Sequence, residues 1–201
     1  MMNTKIAIIM TGLPCSGKST ITNLLTTAMS DINWNIVSPD NVLESIRTMI
    51  NNHSNYEYKF SYNDLYDSDD MFNICDNISN EHLNLPEVVN NNVIYDDVNL
   101  TVHTRSPMIR MMNDNGYDKI YSCFVDTPFI TCRSRNEART AEGKHIPMSE
   151  YDRMRNTLTV PTKQEGFDGC FVIPNYDVSK PSDLLTDILT QIKKDLKENE
   201  N

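Results

Sequence analysis

An α/β fold, a parallel sheet with helices on both faces, is what this chain of 201 residues predicts, and three observations carry the prediction. Short apolar runs, each long enough for one buried strand, alternate with segments whose apolar residues recur at helical spacing. The first run, Ile6-Ala7-Ile8-Ile9, leads within a few residues into Gly12-Leu13-Pro14-Cys15-Ser16-Gly17-Lys18-Ser19-Thr20. That glycine-rich turn opens a segment with Ile21, Leu24, Leu25 and Ala28 on one helical face. Strand, turn and helix in this register make the G-x-x-x-x-G-K-S phosphate loop, so the fold expected is of the P-loop NTPase type.

Taken in order, residues 5–10 are the first strand and 19–29 the helix after the loop. Gly12 and Gly17 allow the tight turn that directs successive amides at phosphate oxygens, at the positive end of that helix. Lys18 is expected to reach the β- and γ-phosphates and the Ser19 hydroxyl to bind Mg²⁺. Pro14, Cys15, Ser16 and Thr20 complete the nucleotide-binding set, and the cofactors implied are ATP and Mg²⁺. A second strand runs over 35–38, is ended by Pro39, and is followed by Asp40, expected to cap a helix over 41–50. Residues 51–82, rich in Asn, Asp and Tyr, show no clear period: they are either a flexible insertion or helices that pack through their aromatic residues. Val93-Ile94-Tyr95 is a third strand closing on Asp96-Asp97, followed by a helix over about 101–114 and a fourth strand over 119–125. Helices over 128–138 and 149–157, a strand over 170–173 and a last helix over 181–197 complete a single domain spanning 1–201, with a lid at 133–147.

The formal net charge of −10 and pI of about 4.8 argue against broad, sequence-independent adhesion to nucleic acid, which needs a basic face. They leave room for one nucleic-acid end entering a locally basic cleft. Arg105, Arg110, Arg133, Arg135, Arg139, Lys144, Arg153 and Arg155 cluster late in the chain, and Asp64, Asp67, Asp69, Asp70 and Asp76 lie earlier. Five cysteines without a C-x-x-C pair point to reduced thiols rather than a disulfide framework or zinc site. No apolar run approaches the ~20 residues needed to span a bilayer, so the expectation is a soluble cytoplasmic protein with no membrane partner.

Ligands of such sheets bind beyond the carboxyl ends of the strands, where Asp40, Asp96 and Asp97 fall. Phosphoryl transfer needs a base beside the attacking hydroxyl and often a carboxylate near the metal. Asp40 is placed for the first task and Asp97 for the second, although simple helix capping also explains Asp40, and a solvent-facing or capping carboxylate is the reading for Asp96. Transfer also needs cations around the moving phosphate. Arg133, Arg135 and Arg139 form such a set on an arginine-bearing lid, with a solvated basic helix face as the alternative. His145 is expected to structure its loop, and Trp34, Tyr56, Tyr58, Phe60 and Tyr62 to be core rather than base-stacking residues.

The elements GLPCSGKST, SPDNVLESI, VIYDDVNL, SRNEART, GKHIPMSEYDRM and VPTKQEGFD, in this order over residues 5–173, resemble the polynucleotide 5′-kinases. The resemblance implies transfer of the γ-phosphate of ATP to the 5′-hydroxyl end of DNA or RNA. It implies Asp40 as general base, Lys18 and Ser19 at the donor, Arg139 as lid arginine with Arg135 its neighbour, and Asp97 beside Asn99 in the third-strand motif as substrate-binding residues. Some members carry an arginine three residues after the base, where this chain has Leu43; Arg47, one helical turn on, is the substitute for holding an acceptor phosphate. Without it, a kinase of a nucleoside, a nucleotide or hydroxymethylated bases in DNA serves the same donor site, and a nucleotide-binding regulator with little turnover is the reading from another class.

Overall fold

The computed structural model describes residues 4–53, 59–142, 144–174 and 185–198. Its five strands are β1 (Ile6–Thr11), β2 (Trp34–Val37), β3 (Asn92–Tyr95), β4 (Lys119–Asp126) and β5 (Gly169–Pro174), all parallel, in the order β2-β3-β1-β4-β5. β1 is central and every residue in it is buried, which is why its sequence reads as a continuous apolar run rather than an alternating one. The connections run to opposite sides of β1, so a crevice opens beyond its carboxyl end between β3 and β4.

Both faces are covered. One buries α1 (Lys18–Ala28) and the last helix, α9 (Thr186–Glu198), through Ile21, Leu25, Ile188 and Ile192 against Ile8, Met10 and Cys123. The other buries α6 (Val102–Asp114) and the short α5 (Pro86–Val89) through Met108, Ile109, Met112 and Val88 against Ala7, Ile9 and Ile120. The predicted start of the last helix, at 181–184, lies outside the described residues.

The start of α2 (Pro39–His53) corrects the expected cap. The Ser38 carbonyl accepts from the amides of Asn41 and Val42, at 3.1 Å each, so Asp40 stands inside the first turn rather than before it. Pro39 occupies the first helical position, where its fixed φ suits the helix and its missing N–H is no loss. Segment 51–82 continues α2 to His53, then forms α3 (Tyr62–Tyr66) and α4 (Asp69–Leu83). Leu43, Tyr62, Leu65 and Cys75 join the three helices in a separate small core. Of the aromatic residues there, Tyr56 and Tyr58 lie outside the described residues.

Arg105, one of the basic residues that cluster late in the chain, is not at the surface. Its side chain is fully buried and forked on Glu165 at 2.7 and 2.9 Å, and it also donates to the carbonyls of Asn99 and Thr159. The pair ties α6 to the loop after β3 and to the stretch leading into β5. All five cysteines are free, with Cys75, Cys123 and Cys132 buried. No described helix is long and apolar enough to cross a membrane.

Candidate active site

Between β1 and α1 the loop is bent by Gly12 (φ 151°), Cys15 (φ 62°) and Gly17 (φ 96°). A side chain cannot replace the hydrogen of Gly12, because a Cβ there meets Ser16 Oγ at 2.8 Å and the Val125 carbonyl at 2.9 Å. The loop's carbonyls are then taken up one after another. Lys18 Nζ donates to Gly12 and Leu13, Tyr151 Oη to Pro14 at 2.7 Å, Arg135 to Cys15 at 3.1 Å and Thr127 Oγ1 to Ser16 at 2.7 Å. With these carbonyls engaged, α1 adds the amides of Lys18, Ser19 and Thr20, which open a helix and have no intrahelical acceptor. The result is an anion cradle at a helix N-terminus.

Carboxylates face this cradle from the strand ends. Asp96 is buried, which pushes its carboxyl up, while Lys18 and the nearby Ser19 and Thr22 side chains favour its ionised form, so it is Asp96 rather than Asp97 that lies on the Ser19 side. The strand explains the exchange. The Asp96 amide still donates to the Val37 carbonyl at 2.9 Å, extending the ladder one residue past β3, and that residue turns toward α1. Asp97 lies toward α2, where burial and the charges of Asp40 and Asp76 push it up to about 6, against the Val98 amide and Lys18, which favour its ionised form. Lys18 is lowered by burial, an effect opposed by Asp96, Asp97 and Asp40 in that order. Lysine and three acids therefore share one field.

The donor set fits Mg²⁺ carried on a nucleotide: a serine hydroxyl with a carboxylate nearby, beside the phosphate-loop lysine. Among the described residues there is no group of three His, Cys, Asp or Glu that could hold a metal unaided, and Mg²⁺ is commonly held by one or two carboxylates together with substrate phosphates and water.

The lid region begins with α7 (Phe129–Ala138), passes through a 3-10 turn at Arg139–Glu142, and meets α8 (Met148–Thr157). Leu13 of the phosphate loop packs with Cys132, Tyr151 and Met154, which seats α7 and α8 on the loop. The three arginines expected to act together separate. Arg135 binds the loop carbonyl and the Arg139 charge bears on Cys15, favouring its thiolate against burial, while Arg133 pairs with Glu137 at 3.0 Å. Gly143 lies outside the described residues. The His145 carbonyl accepts from Asn63, and Asn136 brackets Ile146 with two hydrogen bonds, so the backbone of this stretch is tied to α3 and α7.

Two expected acceptor residues are engaged elsewhere. Arg47 is forked on Glu44 and donates to the Phe60 carbonyl, so it holds α2 to the chain entering α3 rather than presenting a free guanidinium. Asn99, buried with φ 44°, donates to the Met10 carbonyl at 2.9 Å and so clamps the third-strand loop to β1. Sequence reasoning read Tyr62 only as core, which its burial bears out, and did not foresee that its hydroxyl donates to Asp40 at 2.7 Å; it passed over Tyr151. The Ser61-x-x-Asp64 capping box was the signal that places Tyr62 on a helix.

A family model described as an AAA domain matches residues 8–161. No curated protein matches the sequence. Among solved structures, a protein of Chloroflexus aurantiacus j-10-fl provisionally classed as a kinase has a TM-score of 0.70 at 14% identity, covering 96% of this chain and 99% of that one. Kti12 of Chaetomium thermophilum, solved with ADP-AlF3, has a TM-score of 0.64 at 15% identity, with 94% and 98% covered. A chain of the Pnkp1/Rnl/Hen1 RNA repair complex has a TM-score of 0.59 at 21% identity; 84% of this chain matches 48% of that one, about half its length. At such identities the likeness is one of fold.

Proposed function

The chain belongs to the AAA domain family, and from that premise we propose that it is an ATP-dependent kinase that phosphorylates a hydroxyl, the acceptor being the 5′-hydroxyl end of a DNA or RNA strand. The observation that carries the reading is that Lys18 at the phosphate loop and Asp40 at the head of α2 stand in one electrostatic field, with Asp97 between α2 and the loop. A donor cradle and a base on the facing element are what transfer to an alcohol requires.

In this reading Asp40 takes the proton of the acceptor hydroxyl as its oxygen bonds to the γ-phosphorus and the β–γ bridge bond breaks, releasing ADP. The loop amides and Lys18 hold the β- and γ-phosphates, and Arg135 and Arg139 balance charge on the transferring group. Ser19 and Asp96 would hold Mg²⁺, which would supply positive charge against the charge developing on the transferring phosphoryl group. The acceptor assignment rests on the motif order from SPDNVLESI to VPTKQEGFD, and it carries with it a cytoplasmic protein acting on nucleic-acid ends.

A second reading, a small alcohol acceptor, is favoured by the acidic surroundings of the cleft. Asp40, Asp97, Glu150 and Asp67 all bear on Tyr66, and Arg47 is paired with Glu44. The test is γ-labelled ATP with Mg²⁺ and, in separate tubes, a 5′-hydroxyl DNA oligonucleotide, the RNA equivalent, a hydroxymethylated duplex and a nucleoside mixture. Label on oligonucleotide ends, lost in Asp40→Asn while ATP binding persists, supports the first reading. Label on nucleosides or hydroxymethyl groups selects the second. No label in any tube refutes both.

A further inference from the structure

Asp40 is held from two elements. It stands in the first turn of α2, and from α3 the Tyr62 hydroxyl donates to its Oδ1 at 2.7 Å. The Tyr62 ring is buried in the small core of Leu43, Leu65 and Cys75 and stacked on Tyr66 at 5.7 Å and 22°. Burial, and then the charge of Asp40, push the phenol up, so it remains protonated and acts as a donor. The same ring carries Lys144 Nζ at 5.1 Å from its centroid, and Lys144 also faces Glu44 at 3.8 Å. Asn63, the next residue, donates to the His145 carbonyl at 2.6 Å. α3 therefore touches the candidate base on one side and the foot of the lid on the other.

Core packing alone would be served by phenylalanine at position 62. The hydroxyl aimed at one carboxylate oxygen is the feature that packing leaves unexplained. We propose that Tyr62 is a positioning residue of the transfer: its hydroxyl fixes the Asp40 carboxylate through Oδ1, leaving Oδ2 to take the acceptor's proton. This rests on the kinase reading above. The reacting bonds are unchanged by it: acceptor oxygen to γ-phosphorus forms, the β–γ bridge bond breaks, ADP departs, and the proton comes to rest on Asp40. Tyr62 keeps its own proton throughout. A carboxylate that can rotate samples the productive geometry less often, and misplacement of a reacting group by about an ångström can lower a rate by ~10²-fold.

The experiment compares wild type, Tyr62→Phe, Asp40→Asn and the double variant, with ATP, Mg²⁺ and whichever acceptor the wild type labels, reading kcat, KM for ATP and the unfolding midpoint. Tyr62→Phe keeps the ring, its stacking and the Lys144 contact. Expected is a fall in kcat of roughly tenfold, KM for ATP within about twofold, and no further fall when Tyr62→Phe is added to Asp40→Asn, because the two act as one unit. Wild-type kcat in Tyr62→Phe overturns the proposal, as does an equal factor in both backgrounds. A rise in KM for ATP that accounts for the whole effect, or a folded population too small at assay temperature to account for less than the whole loss, also overturns it. If the wild type labels no acceptor, the kinase reading fails first and the role of Tyr62 goes with it.

Discussion

Replacing Asp97 by asparagine should stabilise the protein while disabling it. Asp97 is half-buried among like charges, and its carboxyl is pushed up to about 6 from an ordinary 3.8, by burial first and then by Asp40. That is about a hundredfold in proton affinity, or up to about 3 kcal/mol against the ionised form. The sign follows from proton counting. Between about pH 4 and 6 the folded state binds a proton that the unfolded chain has released, so stability falls as pH rises through that window and the full penalty stands above it. Asparagine carries no charge to bury and still accepts from the Val98 amide. Urea unfolding of wild type and Asp97→Asn at pH 4.0 and 7.5, on either side of the pI of about 4.8, should give a gain of roughly 0.5 kcal/mol at the lower pH and up to about 3 kcal/mol at the higher. At pH 7.5 the thermal midpoint should rise by roughly 2–4 °C per kcal/mol. Phosphoryl transfer should fall at least about tenfold, the exchange of stability for activity expected of a working carboxylate. A variant no more stable than wild type at pH 7.5, or one whose gain is the same at both pH values, refutes the reasoning.

Gly12→Ala forces a Cβ against Ser16 Oγ and the Val125 carbonyl, at 2.8 and 2.9 Å. Because one neighbour is backbone the loop must shift, and ATP affinity by calorimetry should drop by at least about tenfold. Glu165→Ala strands the fully buried Arg105, and urea unfolding should show a loss of about 3–5 kcal/mol. Arg139→Ala should lower kcat by about a hundredfold or more, whereas Arg133→Ala, whose guanidinium faces Glu137 on the outer side of α7, should leave kcat within about twofold. Equal effects of the two in the labelling assay would refute the division of the lid arginines.

The donor half of the site was legible in sequence because it is local. Gly12, Gly17, Lys18 and Ser19 belong to one strand–turn–helix unit, whose backbone conformation and helix N-terminus make the cradle whatever surrounds it. The parallel sheet was legible for a similar reason, since strands buried on both faces read as short apolar runs. What lay beyond sequence depends on which way a strand end turns and on what packs across it. Asp96 and Asp97 are adjacent and chemically identical, and their division between the Ser19 hydroxyl and the field of Asp40 comes from the ladder bond that extends β3 by one residue. Arg47 and Arg105 have the charge of ligand-binding residues, yet partners 3 and 60 positions away engage them in holding the fold. α4 lacks a clear apolar period because its buried stripe, Cys75, Ser79 and Leu83, is only partly apolar, while Phe72, Ile74 and Ile78 stand exposed. Local backbone geometry thus determined where a phosphate can be held, and only long-range packing decided which carboxylates and arginines surround it.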